Sequence, residues 1–429
     1  MVSLLGTTYQ YDEGCIKNTI SLIITVGGSG TVLAKVKNIE IDENKRIIAI
    51  SDIHGNLKGL KQLLEKVSFC KEDYLFLVGD LVEKGPQSLE TLRYIMNLAK
   101  THKVYTVSGN CDSVACEIYN DDNHEELLNY MLRRKKSLLN EMCQSLSIKI
   151  DRQTDLKEVK LQLNRYFENE LNWIRDLPNI IETQKFIFVH AGLTSTQLDK
   201  QLAAKVQCMD AFLKMGLYMN KYCIVGHFPV VLYGESYPDC NPIIDREHKI
   251  ICIDGGNVVK RNGQLNAFMI PHIHSEDFSY TFQDNLKTGI IKDNRKEMKA
   301  CQYDPVLPPG PDYTLWAQEK PKLIHWLDNK IEVLVKQSEF SYCQHNTSKH
   351  RMWILNKYIY REIDGYHCED STDYCLPVRT GDRVSIVEET GRGYLIKRDG
   401  ITGWYYGELE LENGSNLILE ADFGMYYNQ

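Results

Sequence analysis

Gly79-Asp80-Leu81-Val82-Glu83-Lys84-Gly85, placed directly behind the apolar run Asp73-Tyr-Leu-Phe-Leu-Val78, is the stretch that decides the fold. The run reads as a buried strand because its apolar residues are continuous rather than alternating, and the glycine-aspartate pair ends it on a polar turn. The same grammar occurs twice more. Arg46–Ser51 (Arg-Ile-Ile-Ala-Ile-Ser) runs into Asp52-Ile-His54-Gly-Asn, and Lys103–Ser108 runs into Gly109-Asn110-Cys111-Asp112. Between the strands, Leu57, Leu60, Leu63, Leu64 and Val67 recur at helical spacing, as do Leu89, Leu92, Ile95, Met96 and Ala99. Strand, polar tip and helix repeat about every thirty residues, which predicts an α/β unit with its tips outside the carboxyl edge of a sheet.

Those tips carry aspartate, histidine and asparagine, and two further histidines follow in Val189-His190-Ala-Gly and Val225-Gly-His227-Phe. Such a set suits two divalent ions roughly 3.5–4 Å apart that share a carboxylate and clamp an in-line displacement at phosphorus. On this reading Asp52, His54 and Asp80 hold one ion, Asp80, Asn110, His190 and His227 hold the other, and Asp80 is the bridge. The mixed oxygen and nitrogen donors suit manganese first, with iron or zinc as alternatives.

In this order the motifs resemble the calcineurin-like metallophosphoesterases, in the branch holding the serine/threonine phosphoprotein phosphatases and the symmetrical dinucleoside tetraphosphatases. The resemblance covers roughly Lys45 to Ile270, including Ile251-Cys-Ile-Asp-Gly-Gly. It implies a β-sandwich flanked by helices, with two metals on loops at one edge held by Asp52, His54, Asp80, Asn110, His190 and His227. Two departures matter. Where the family has Asp-Arg-Gly this chain has Glu83-Lys84-Gly85, so Lys84 is expected to meet phosphate as a point charge rather than a planar fork, with Asn110 beside it. Where the family has Gly-Asn-His-Glu it has Gly109-Asn110-Cys111-Asp112, so the histidine thought to protonate the leaving oxygen is replaced by Cys111, beside the carboxylate of Asp112. Cys111, Asp112 and Lys84 are therefore the candidate catalytic positions, and rates are expected to depend steeply on leaving-group pKa.

The fold class expected is α/β (α+β): a metallophosphoesterase sandwich with a helical insertion, plus a small all-β barrel. The boundaries read as an N-terminal extension of unassigned role at 1–44, a catalytic domain at 45–275 with its insertion at about 115–180, a linker with a short helix at 276–328, and a Src-homology-3-like barrel at 329–429. Within the insertion Leu127, Leu128, Met131, Leu132, Leu138, Leu139 and Met142 form one apolar face, with Arg133-Arg-Lys-Lys136 beside it. Pro305-Val-Leu-Pro-Pro-Gly-Pro311 marks a stiff joint, and a helix is expected from about Trp316 to Leu327. Beyond it Ile331–Val335, Arg351–Leu355, Arg383–Val387, Tyr394–Lys397 and Gly403–Tyr406 alternate with period two. Trp404, Tyr405 and Tyr406 are candidates for a peptide-binding groove.

Composition narrows the partners. A net charge of −8 over 429 residues disfavours nucleic acid, whose binding needs clustered lysine and arginine. The 13 cysteines contain no Cys-x-x-Cys pair, which argues against a zinc ribbon or a disulfide framework and suits a reducing, cytoplasmic setting. Ile20–Val36 is too interrupted by glycine for a membrane span, and Gly27-Gly-Ser-Gly30 lacks the lysine of a phosphate loop, so a turn is expected there. Three functions follow: a phosphatase for phosphoserine and phosphothreonine in proteins as the main reading, a symmetrical dinucleoside tetraphosphate hydrolase, or a phosphate-sensing scaffold with little turnover.

Overall fold

The computed structural model describes residues 32–293 and 320–412. Its three predicted strands lie side by side and parallel: Ile47–Ile50 pairs with Tyr74–Val78, which pairs with Lys103–Val107. Leu265–Ile270 and Ser279–Gln283 extend this sheet antiparallel to five strands. A second, six-stranded sheet runs in the order Val36–Asn38, Ile180–Glu182, Phe186–Val189, Tyr222–Val225, Ile250–Cys252, Ile243–Asp245.

The two sheets face each other across one apolar layer. Ala49, Phe76 and Phe268 from the first meet Phe188, Ile224 and Ile251 from the second, with the rings of Phe76 and Phe188 stacked 3.8 Å apart. Alternate residues turn outward: Ile48, Ile50, Leu75 and Leu77 pack under the helices Leu57–Lys66 and Ser88–Ala99. Both faces of the sheet are thus covered, which is why its strands read as unbroken apolar runs. The expected sandwich flanked by helices is present.

The helical insertion also forms, as His124–Arg133, Leu138–Ser145, Leu156–Tyr166 and Glu168–Arg175. The apolar face read through Met142 is broken, however. The first helix stops at Arg134, whose φ of −100° and ψ of 85° leave the helical region, and Ser137 caps the second by accepting from Asn140 N–H at 3.2 Å. Of the basic run, Arg133 closes the first helix, and residues 134–136 occupy an inter-helix loop instead of a helix face.

The boundaries read from sequence shift at both ends. Val36–Asn38, inside the segment left as an extension, is the edge strand of the six-stranded sheet, and Ile41 is buried between the sheets. Ser279–Gln283 and Lys287–Asp293, read as linker, are strands. The helix expected over Trp316–Leu327 is not formed within the described part, where Leu323–Ile324 pairs with Ser371–Thr372. The turn at 27–30 and the proline joint at 305–311 lie outside the described residues.

Every strand expected beyond residue 330 is present, but the single barrel is not. The strands divide between two five-stranded sheets, neither closed on itself. One holds Arg351–Leu355, Phe340–His345, Lys330–Lys336, Gly365–Cys368 and Ile359–Glu362. The other runs Ile401–Tyr405, Tyr394–Arg398, Arg383–Glu389, Lys287–Asp293, Glu408–Leu411, so one of its inner strands comes from before the linker. Trp404 packs against Phe340 under the first sheet, while Tyr405 lies in the core with Ile291 and Ile396. Both are buried, so neither lines an open groove.

This β region is docked on the sandwich. The buried Lys397 donates to the Asn262 carbonyl at 2.7 Å, Asn262 Nδ2 donates to Thr402 Oγ1 at 3.1 Å, and Arg261 forks onto Glu369. Among the described residues no helix is long and apolar enough to cross a membrane. Among the described residues ten cysteines are free thiols and Cys375 is disulfide-bonded, where the sequence reading expected no disulfide framework.

Candidate functional site

All six residues expected as metal ligands converge where strand ends from both sheets meet. Asp52 and His54 follow Ile47–Ile50, Asp80 follows Tyr74–Val78, Asn110 follows Lys103–Val107, His190 follows Phe186–Val189 and His227 follows Tyr222–Val225. Turning the chain this sharply needs unusual backbone. Asp52, His54, Asp80, Glu83, Lys84 and His227 all have φ between 48° and 74°, a region that residues other than glycine enter at a cost. Small residues make room for them: a β-carbon at Gly109 would strike the Asp80 carboxylate, and one at Gly226 would strike that of Asp52.

Asp80 stands in the middle. Asp52, Asp80 and His190 offer ligand atoms within 4.8 Å of one another, and so do His54, Asp80 and Cys111. His190 Nε2 is 3.3 Å from Asp80 Oδ1 and 3.1 Å from Asn110 Oδ1, and His54 Nε2 is 3.8 Å from both Asp52 Oδ1 and Asp80 Oδ2. His227 Nδ1 is 3.0 Å from Asn110 Oδ1.

The far side of each ring fixes its proton. His190 Nδ1–H donates to the Val78 carbonyl at 2.9 Å and His54 Nδ1–H to the Val82 carbonyl at 3.4 Å, since a carbonyl can only accept. Burial lowers the pKa of both rings, keeping them neutral. Their bare Nε2 atoms therefore point at carboxylate and amide oxygens with no proton between. A cation satisfies such a set of facing lone pairs, and neutral imidazole is the form that binds one. The residues present fit a divalent metal pair.

Three groups, Asn257 and Asp254 buried and Asp210 half-buried, lie against these loops and were not singled out from sequence. Asn257 Nδ2 donates to the carbonyls of Asp52 and Ile53, at 3.1 and 2.9 Å, and accepts at Oδ1 from Asn56 Nδ2. Asp210 Oδ1 lies 3.6 Å from His227 Nε2, the nitrogen turned away from Asn110. Asp254 accepts from Gly256 N–H at 2.8 Å, and burial and then the charge of Asp52 push its carboxyl well above the usual range. Asp254 lies in the quoted Ile251–Gly256 motif; Asn257 and Asp210 carry no local signal, because their partners are distant in sequence.

The three positions expected to be catalytic differ in setting. Lys84 is half-buried, with Nζ 3.4 Å from His54 Nε2, so its charge faces the ligand set. Cys111 is buried, its backbone N–H donates to Asp80 Oδ1 at 2.8 Å, and burial and then Asp80 raise its thiol pKa well above the ordinary value. Asp112 is fully buried with both oxygens engaged: Oδ1 accepts from Leu81 N–H at 2.8 Å and Oδ2 from Gly109 N–H at 2.9 Å. It ties two ligand loops together and does not face the open side of the site.

Residues 45–231 match the family described as calcineurin-like phosphoesterase, and this part of the chain is a calcineurin-like metallophosphoesterase domain. That family implies a dinuclear divalent site, in keeping with the donors gathered here. Among curated relatives, the chain is 32% identical over 177 residues to the symmetrical bis(5'-nucleosyl)-tetraphosphatase of Pasteurella multocida, covering 40% of this chain and 53% of that protein. To the protein of the same name from Buchnera aphidicola subsp. Schizaphis graminum it is 38% identical over 151 residues, covering 34% and 45%. The chain thus spans about half the length of the curated relatives it matches. A solved serine/threonine phosphatase from Saccharomyces cerevisiae with similarity to human phosphatase PP5 is 12% identical, covering 62% of this chain and 89% of that one at a TM-score of 0.38.

Proposed function

We propose that this chain is a two-metal phosphoric ester and anhydride hydrolase acting on nucleoside polyphosphates of the dinucleoside tetraphosphate type. Asp52, His54 and Asp80 would hold one ion, and Asp80, Asn110, His190 and His227 the other. Bound there, the ions supply Lewis acidity to phosphoryl oxygens and lower the pKa of water. Lys84 adds positive charge at the edge of the same site, and Asp112 and Asn257 hold the loops that carry the donors.

The observation that carries the substrate class is Cys111. A buried cysteine stands where the family resemblance expects the proton-donating histidine, and general-acid help is typically worth about 10²- to 10⁴-fold. Phosphoanhydrides leave without it, whereas the serine and threonine oxygens of phosphoproteins need it. The protein-phosphatase reading also rested on a barrel that delivers the site to peptides, and two of its three candidate groove residues, Trp404 and Tyr405, are buried. The names of the relatives agree with the nucleotide reading.

The test is hydrolysis by metal-stripped protein reloaded with manganese, using an aryl phosphate, a phosphothreonine peptide and a symmetrical dinucleoside tetraphosphate in parallel. The dinucleotide and the aryl phosphate should turn over well and the peptide poorly. A peptide rate equal to the dinucleotide rate would reject the anhydride assignment, and no turnover of any of the three would favour a sensing role.

A further inference from the structure

The segment Asp254–Gln264 touches the donor set at one point and the C-terminal β region at another. At the first, Asn257 Nδ2 donates to the carbonyls of Asp52 and Ile53 at 3.1 and 2.9 Å, and Oδ1 accepts from Asn56 Nδ2 at 2.8 Å. Asn257 thus holds the turn that carries Asp52 and His54. The same turn is pinned to its neighbour by amides of its own: Asp52, His54 and Gly55 N–H donate to the carbonyls of Gly79, Asp80 and Leu81 at 3.1, 2.9 and 2.9 Å.

At the second, two cations are gripped by the β region. Lys260 Nζ lies 2.7 Å from Asp370 Oδ2, and Arg261 donates to both oxygens of Glu369, from Nε at 2.5 Å and from Nη2 at 3.1 Å. The Arg261 guanidinium also lies 4.9 Å from the Tyr358 ring centroid and 3.7 Å from Glu388 Oε1. Glu369 and Tyr358 flank strands of one C-terminal sheet and Glu388 lies on a strand of the other, so a single side chain meets both. A two-pronged, partly buried pair of this kind is held in one geometry and is less screened than an exposed one. Between the two points the backbone is tight and strained. Lys260 N–H donates to the Gly256 carbonyl at 2.9 Å and Gln264 N–H to the Gly255 carbonyl at 3.0 Å. Val258 has a φ of 68°, which a β-branched residue keeps only where its surroundings impose it, and it stands between Asn257 and the two gripped cations.

We propose that Arg261 is a positioning residue for the metal site: both C-terminal sheets hold it, it holds the strained loop, and through Asn257 the loop sets the turn of Asp52 and His54. The β region is then part of what shapes the donor set, although it supplies no donor. This rests on the two-metal reading of those donors and not on the class of substrate. Groups that orient metal ligands from outside the coordination shell typically govern affinity by about 10- to 100-fold, and Arg261 acts one step further out, through Asn257.

The test is calorimetric titration of the metal-stripped full chain with manganese. N257D should weaken binding by about tenfold or more and R261Q by about threefold or more, with R261Q/N257D no weaker than N257D alone, because the two act in series. Y237A removes the stacked pair Tyr237–Tyr374 elsewhere in the same joint and should leave affinity within about twofold of the wild type. Unchanged affinity in R261Q, an equal loss in Y237A, or effects of R261Q and N257D that multiply in full would overturn the proposal. If R261Q does not fold, R261K keeps the charge without the fork and should show a smaller loss; an unaltered affinity overturns the proposal. Amide hydrogen exchange of the metal-free chain supplies a readout that needs no metal: Asp52, His54 and Gly55 N–H should exchange faster in R261Q than in Y237A, and equal rates would overturn the proposal. A wild type that takes up no manganese rejects the two-metal reading, and the exchange rates still decide whether Arg261 holds the turn.

Discussion

At Asp80 one carboxylate lies within reach of both halves of the proposed donor set. Substitution by asparagine removes the shared negative charge, and Asp80→Asn should lower metal content and cut manganese-dependent hydrolysis by more than about 100-fold, since outer-shell changes alone typically cost up to that much. Metal analysis and rate measurement on the same sample check this, and full activity at full metal content would remove Asp80 from the bridging role. Cys111 makes a kinetic prediction. Without an acid at that position the plot of log rate against leaving-group pKa should be steep for aryl phosphates, and a flat plot would mean that another group donates the proton. Glu83 makes a thermodynamic one. Burial raises its carboxyl from 4.5 to about 7, so the folded state keeps a proton that the unfolded chain has lost. The resulting stabilisation is complete below about pH 4.5 and disappears as pH rises through about 7, a change of up to about 3 kcal/mol. In thermal melts of the metal-free protein, Glu83→Gln should make the fall in Tm across that window shallower; Asp112 and Glu117, raised to about 7 and about 8, account for slope that remains.

Between elements, carboxylates do the joining. Asp112 links the turn after Lys103–Val107 to the turn after Tyr74–Val78 through backbone amides, and Glu141 of the insertion accepts from Ser88 N–H at 2.8 Å and Leu89 N–H at 2.7 Å, at the start of Ser88–Ala99. The second contact meets amides that a helix leaves unsatisfied and favours a negative charge at its positive end. Losing the acceptor at Asp112 strands buried donors, so Asp112→Ala should cost at least about 2 kcal/mol in urea unfolding and weaken metal binding with it. Unchanged metal affinity in a destabilised protein would separate the strap from the site. The insertion helices were legible from their apolar spacing, but their interruption at Arg134 was not. Apolar residues continue at helical intervals on both sides of the break, and the amide that opens the second helix, Leu138 N–H, is taken by the distant carboxylate of Glu83.

Across the molecule, the C-terminal sheets are part of the same folded body as the sandwich. The loop after His227 reaches them through Cys240 N–H to the Gly400 carbonyl, and the loop after Asn257 reaches them through Arg261 and Asn262. Lys397 is the buried charge in this joint, with Nζ 3.7 Å from the carboxylate of Asp284. Removing one partner of such a pair leaves the other uncompensated, so Lys397→Ala should cost about 3–5 kcal/mol. Calorimetry of the wild type should show one transition for both regions. Two independent transitions would mean that the β region is a tethered module after all.

Sequence by itself located the six proposed donors and the strands that present them, because both depend on residues close together in the chain: an apolar run, then the polar residues at its end. Period-two alternation likewise located the strands beyond residue 330. Only the tertiary structure decided which strands share a sheet. Lys287–Asp293 pairs with Arg383–Glu389 across almost a hundred residues, and nothing in the local pattern of either strand names its partner. The same holds for Asn257, Asp210 and Glu83: hydrogen bonds and buried charge act over a few ångströms of space, and the fold alone brings those groups within reach.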